Sequence, residues 1–206
     1  MLRLWGRINS INVQKVLWAL DELKVPYQRS DAGMQFGVVN EPFYRKMNPN
    51  GRVPTIEDEG FVLWESNAIV RYLSARYGAG TLSPNDPRQR ADVDRWMDWT
   101  TSTVAPALTP VFWGLIRTPP EKRDMAIIEA EAEKVAQAFQ VLDQSLEGRD
   151  HVAGKSFTMG DIPLGTFVHR WYALAVKRPK LARVEAYYQR LQQRAPYKKH
   201  IMLPLS

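Results

Sequence analysis

Two hydrophobic periods run along this chain, and the change from one to the other divides it. Leu2-Arg3-Leu4-Trp5 alternates apolar and polar positions as a short strand does. After Asn9 and Ser10, which suit a helix cap, Val13, Val16, Leu17, Leu20 and Leu23 recur at helical spacing. Val25-Pro26 ends that helix, because the residue before a proline is pushed out of the helical region. Tyr27-Gln28-Arg29-Ser30 then reads as a second strand. Residues 32–39 form a loop with two glycines, and Glu41 to Met47 suits a short helix. Thr55-Ile56-Glu57-Asp58 and Phe61-Val62-Leu63 flank a Glu59-Gly60 turn as a hairpin, and a helix from Glu65 to Tyr77 follows.

From there the period changes. Gly78-Ala79-Gly80-Thr81-Leu82-Ser83-Pro84-Asn85-Asp86-Pro87 has no periodicity and the composition of a linker, and everything after it reads as helix. One helix over 88–115 carries Trp96, Trp99, Val104 and Leu108, with bends expected near Pro106 and Pro110. A second is expected to start at Thr118-Pro119-Pro120-Glu121 and run to about Leu146, with Ile127, Ala130, Val135, Ala138, Phe139 and Leu142 inward. Thr158-Met159-Gly160-Asp161 is a capping box opening a third, with Phe157 placed as a staple. A last helix spans about 181–194 and ends at Pro196. The expected division is therefore 1–78, a linker at 79–87, and an all-helical 88–206.

Composition narrows the function classes. With no cysteine among 206 residues there is no disulfide, no thiolate metal site and no cysteine nucleophile, and a reducing cytoplasm is the natural setting. His151, His169 and His200 lie far apart without metal-ligand spacing, so no metal is expected. No apolar run approaches the ~20 residues of a membrane span, and the N-terminus turns polar too soon for a signal segment, so no membrane partner is expected. The net charge of +6 is dispersed among acidic residues, as in Glu129-Ala130-Glu131-Ala132-Glu133-Lys134. It suits a mild attraction for anions better than a nucleic-acid interface.

The chemistry concentrates in Asn48-Pro49-Asn50-Gly51-Arg52-Val53-Pro54-Thr55 and Trp64-Glu65-Ser66-Asn67-Ala68-Ile69. A cis Val53-Pro54 bond in a tight turn would aim the amide and carbonyl of Val53 outward, where an extended peptide could pair with them. A helix starting at Glu65-Ser66 offers free amides, a hydroxyl and a positive dipole end to a carboxylate, while Glu65 offers a negative group to an amine. Together they describe a site for a short peptide bearing both groups.

These residues resemble the glutathione-binding half of the cytosolic glutathione S-transferases, whose signature is valine-proline after an Asn-Pro-x-Gly turn, then Glu-Ser-x-Ala-Ile after a hairpin. The likeness extends to Leu2–Val13 and to nearly the whole chain. It is closest to bacterial GstB-type transferases, with a Ser-x-Asn-Val helix start also similar to the phi class. The resemblance implies an α/β thioredoxin-like domain with a mixed sheet, then an all-α helical-bundle domain, and a cytoplasmic homodimer. It implies activation of glutathione, as co-substrate, to a thiolate that attacks small electrophiles, halogenated or acidic ones included. A non-catalytic binding or regulatory module of the same fold, or a glutathione-dependent peroxidase or isomerase, fits the same motifs.

By the same resemblance Ser10 donates a hydrogen bond to the glutathione sulfur; taken alone, its position is that of an ordinary helix cap. Asn12 is its competitor or helper. Glu65 and Ser66 grip the γ-glutamyl end, Val53 pairs with the cysteinyl backbone, and Pro54 sets the geometry. Asn40 lies where relatives bind the glycine carboxylate. Arg52 departs from the usual glutamine or lysine and either contacts a carboxylate or is solvated. Trp5, Met34, Phe36, Phe112, Trp113, Ile116, Trp171 and Tyr172 are candidates to line the electrophile pocket or to be plain core, and Arg7 and Arg117 to meet an acidic substrate.

Overall fold

The computed structural model describes residues 1–206. Strands β1 (Leu2–Trp5), β2 (Tyr27–Ser30), β3 (Thr55–Asp58) and β4 (Phe61–Trp64) form one sheet in the order β2-β1-β3-β4. β1 runs parallel to β2, with Leu4 opposite Arg29, and antiparallel to β3, with Leu4 opposite Ile56. The parallel pair needs a crossover, which α1 (Ile11–Glu22) supplies, and the β3–β4 hairpin needs only its Glu59-Gly60 turn. A short α2 (Pro42–Met47) precedes β3, and α3 (Ser66–Tyr77) follows β4 and packs against α1. This mixed sheet with its helices is the thioredoxin-like arrangement.

What positions the start of α1 is the end of β1. Gly6 continues the sheet by donating to the Ser30 carbonyl, and it does so at φ 156 with its Cα against Val13. A Cβ there would stand 2.4 Å from a Val13 methyl, so only glycine lets the strand turn this closely over the helix it feeds.

Helices α4 (Pro87–Trp99), α5 (Ala105–Phe112), α6 (Met125–Ser145), α7 (Asp161–Ala173), α8 (Ala182–Gln192) and α9 (Ala195–His200) build the second half. α1 joins the halves: Trp18 is fully buried, with Tyr197 at 4.7 Å and Phe157 at 5.4 Å between ring centres. On the other side Arg71 of α3 pairs with Asp94, at 2.7 Å, and with Asp98 of α4. Asp161, wholly buried at the start of α7, accepts from Thr158 N (2.8 Å), Val152 N (3.1 Å) and the Tyr187 hydroxyl (3.0 Å). Half of the capping box the sequence predicts is thereby made, with Asp161 accepting from Thr158 N. The Thr158 hydroxyl donates to the same carboxylate (3.2 Å) instead of capping Asp161 N, making a four-way anchor.

Several expectations need correction. The helix expected to start at Thr118-Pro119-Pro120-Glu121 begins at Met125, because Asp124 caps it, accepting from Ile127 N, and Arg123 is extended. Its buried face accordingly includes Ile128, Ala132 and Ala136, while Ile127 and Ala130 are exposed. The bends expected near Pro106 and Pro110 are two widened turns, Thr100–Val104 and Trp113–Arg117, on either side of α5. Pro196 does not end the last helix; it sits in the first turn of one more, α9, where its missing N–H is harmless.

Candidate active site

Two clefts meet at Asn12, between α1, the β3 loop and the second half. The first, about 260 Å³, is lined by Arg7, Ser10, Asn12, Gly33, Met34, Gly51, Arg52 and Val53. Ser10 precedes α1 in extended conformation, and its carbonyl accepts from Gln14 N as a helix cap's should. Its hydroxyl, however, makes no capping bond and no other, so it is an uncommitted donor at this helix start. The Val53-Pro54 bond is cis. The chain on both sides of it is clamped from behind: Arg52 O accepts from the Tyr44 hydroxyl (2.7 Å) and Asn48 Nδ2 (2.9 Å), and both also reach Thr55 Oγ1. Between the clamps, the amide and carbonyl of Val53 have no partner within the chain. Gly51 shapes the approach at φ 59, where a Cβ would collide with the Arg45 guanidinium at 2.4 Å.

The second cleft, about 520 Å³, is walled by side chains of both halves, among them Asn12, Lys15, Glu65, Ser66, Asn67, Arg71, Asp98, Thr101 and Arg170. Here α3 begins. Glu65 holds φ 72, a left-handed conformation unusual for a residue with a side chain, and makes no capping bond. Ser66 is buried, and its hydroxyl donates to Asn12 Oδ1 at 3.3 Å. The first amides of α3 have no intrahelical acceptor, as at any helix start, and turn the positive end of the helix dipole toward this cleft. Asn67 ties this corner to the second half, donating to Met97 O (3.1 Å) and Thr101 Oγ1 (3.0 Å).

Lys15, only 5 % exposed, lines this cleft without an ion-pair partner. Its ammonium donates to Asn12 Oδ1 at 3.0 Å and lies 5.4 Å from the centre of the Phe167 ring. Burial, and then Arg170, bring it down to about 8, against partial support from Glu65. Arg170 stacks on Phe112 at 3.8 Å, and Arg117 lies 5.9 Å from the same ring. Burial and Arg117 lower Arg170 to about 10, and the same two causes lower Arg7, whose Nε is buried without a partner. Two guanidiniums thus crowd one aromatic ring with no side-chain carboxylate paired to either, and Arg117 donates to Ser206 O at 2.7 Å.

Of the residues singled out from sequence, Ser10, Asn12, Arg52, Val53, Glu65, Ser66 and Arg7 line one or both clefts, with Pro54 behind Val53. Asn40 does not: its Oδ1 accepts from Arg45 at 2.7 Å, and Arg45 also holds Pro49 O, so it braces the Gly51 loop. Phe112 is buried beneath Arg170, and Trp113 beside it is 55 % exposed. Ile116 packs on the core, while Trp5 and the exposed Phe36 line neither cleft. Trp171 and Tyr172 are core: Trp171 packs edge-on to Phe139, and Tyr172 stacks on Tyr188. Lys15 and Arg170 are the residues that sequence reasoning passed over. Their signal was a cation inside an apolar stretch, Val13-Gln14-Lys15-Val16 and Phe167-Val168-His169-Arg170, which a buried helix carries only for a reason. The three histidines are bound up in packing, with His169 bonded to Tyr188 and His200 to Asp21, and no cluster of possible metal ligands exists.

Comparison with known proteins matches this geometry. Residues 1–75 match the family model of the glutathione S-transferase N-terminal domain, and residues 104–195 that of the C-terminal domain. Glutathione S-transferase GstB of Escherichia coli K12 is 40 % identical over the whole of both chains. Among solved structures, a theta class glutathione S-transferase from Xanthomonas axonopodis pv. citri, with glutathione bound, superposes with a TM-score of 0.95 at 45 % identity, covering 100 % of this chain and 99 % of that one. Glutathione transferase F2 of Populus trichocarpa superposes at 0.86 with 27 % identity, covering 98 % of each. With both halves matched in order and a relative aligned from end to end, this chain belongs to the glutathione S-transferase family.

Proposed function

We propose that the protein is a glutathione S-transferase in which Ser10 stabilises the glutathione thiolate for attack on an electrophile. The observation that carries this is the uncommitted Ser10 hydroxyl facing the same cleft as the unpaired main chain of Val53, with the α3 start in the adjoining cleft. Val53 pairs with the cysteinyl backbone. Glu65 takes the γ-glutamyl amine, while the Ser66 amide takes its carboxylate and the Ser66 hydroxyl stays on Asn12 Oδ1. Arg52 meets the glycine carboxylate, in place of Asn40, which Arg45 holds. The Ser10 hydroxyl donates to sulfur, and with the dipole of α1 favours the thiolate over a thiol whose free pKa is about 8.5. The thiolate forms a bond to the electrophilic carbon, and the leaving group departs with its electron pair, so the site contributes charge stabilisation and proximity. A pH titration of thiolate absorbance tests it: a bound pKa well below the free value is expected, and an unshifted pKa on binding would leave only a glutathione-holding module.

The electrophile is an acid. Arg170, held on the buried Phe112 ring in the wall of the second cleft and paired with no side-chain carboxylate, meets its negative group, and Arg7 in the adjoining cleft adds positive charge. Arg170→Met should lower kcat/KM for a carboxylate-bearing electrophile about tenfold, and that for its uncharged amide far less. Equal losses for the two would remove this specificity. The protein acts as a cytoplasmic homodimer, a reading supported by family membership and checked by light scattering after gel filtration; no helix is long and apolar enough to cross a membrane.

A further inference from the structure

A buried cation with an amide as its sole hydrogen-bond partner is an odd thing to keep beside a binding cleft. Lys15 is 5 % exposed, and its one hydrogen bond goes to Asn12 Oδ1 at 3.0 Å. Ser66 Oγ reaches the same oxygen at 3.3 Å. An ammonium can only donate, so Lys15 fixes which end of the Asn12 amide is oxygen. The amide is planar, so with two donors on Oδ1 its two N–H bonds point away from both, and Nδ2 has no partner in the chain. Asn12 borders the Ser10 cleft as well as the Lys15 cleft. Its oxygen is therefore spent on one side, and its donors remain for a ligand on the other.

We infer that Lys15 is a positioning residue: it locks and polarises the Asn12 amide so that Nδ2 acts, beside Ser10, as a second donor to the glutathione sulfur. This deepens the reading above and rests on it. A charged donor pulling on Oδ1 draws electrons from the amide nitrogen and strengthens its N–H donors, as hydrogen bonds in series do. The charges facing Lys15 are Glu65, ahead of α3, and Arg170, on α7; Lys199 and His200 of α9 are engaged with Asp21 at the far end of α1. Lys15 titrates near 8, so the lock weakens as pH rises through that value. A neutral amine could also accept from Asn12 Nδ2, turning the amide round and withdrawing the donor.

The rival role is direct, with the Lys15 charge attracting the glutathione carboxylate and Asn12 irrelevant to it. A double-mutant cycle separates them, read as the bound thiol pKa in wild type, Lys15→Met, Asn12→Ala and the double variant. Methionine keeps the buried volume and removes a desolvated charge, so the variant should fold. The expected result is a rise in bound thiol pKa of about half a unit to one unit for Lys15→Met, and no further rise when it is added to Asn12→Ala. Lys15→Arg, which keeps a charged donor, should restore part of the effect. Additive changes, or a Lys15→Met change confined to glutathione Kd with thiol pKa intact, would overturn the inference. If wild-type protein itself failed to lower the thiol pKa, the transferase reading would fall first, and that outcome is distinct.

Discussion

The two clefts that meet at Asn12 are made of different material. The Ser10 cleft, though Arg7 and Arg52 also line it, owes its shape to main chain: an extended residue before a helix, a loop held by Tyr44 and Asn48, and a Val53 edge left unpaired. Its neighbour is charged side chain, with Lys15, Glu65, Arg71, Asp98 and Arg170 drawn from both halves of the molecule. The difference lies in where each stores its expense. The main-chain cleft costs loop order, already met by the clamps. The side-chain cleft costs desolvation of cations, which has to be offset by the rest of the fold.

The largest expected effect sets the scale from outside both clefts. Asp161→Ala strips a buried carboxylate from four backbone and side-chain donors and should cost about 3–5 kcal/mol of stability, read by denaturant unfolding. Glutathione affinity of the surviving folded fraction should be unchanged; a large fall in affinity with stability intact would mean that Asp161 belongs to the site.

Lys15→Met should move stability the other way. The folded-state value of about 8 lies below lysine's ordinary 10.5, so burial of the charge penalises folding fully below pH 8 and fades as pH rises to 10.5. The variant should gain about 3 kcal/mol at neutral pH and nothing above pH 10.5. A gain independent of pH would assign it to packing instead. Ser10→Ala, in the main-chain cleft, should leave stability within about 0.5 kcal/mol, because its hydroxyl caps nothing. It should nonetheless lower kcat by roughly 10–100-fold with glutathione binding retained. If Asn12→Ala had that effect and Ser10→Ala none, the two donors would exchange roles.

The same contrast explains what the sequence made legible. Strands, the α1 start, the Val53-Pro54 turn and the Glu65-Ser66 helix start are written in contiguous residues, because turn and cap chemistry is local. So was the Thr158–Asp161 box. Lys15 and Arg170 are 155 positions apart, and only the packing of α7 on α1 brings them to one cleft. Nor could local pattern foresee that Asp124 outcompetes residues 118–121 as the start of α6, or that Trp171 faces Phe139 instead of a ligand. Arg45 claims Asn40 through a contact five residues away that helical spacing does not encode.

Glu65, finally, sets foldability and recognition against one another at a single position. Its backbone sits at φ 72, where a side chain costs about 1–3 kcal/mol and glycine nothing. A library of position-65 variants sorted only for soluble expression should therefore drift toward glycine. The same library sorted on immobilised glutathione should return to glutamate. The ratio of the two enrichments would weigh, in one experiment, what the carboxylate is worth to the ligand against what it takes from the fold.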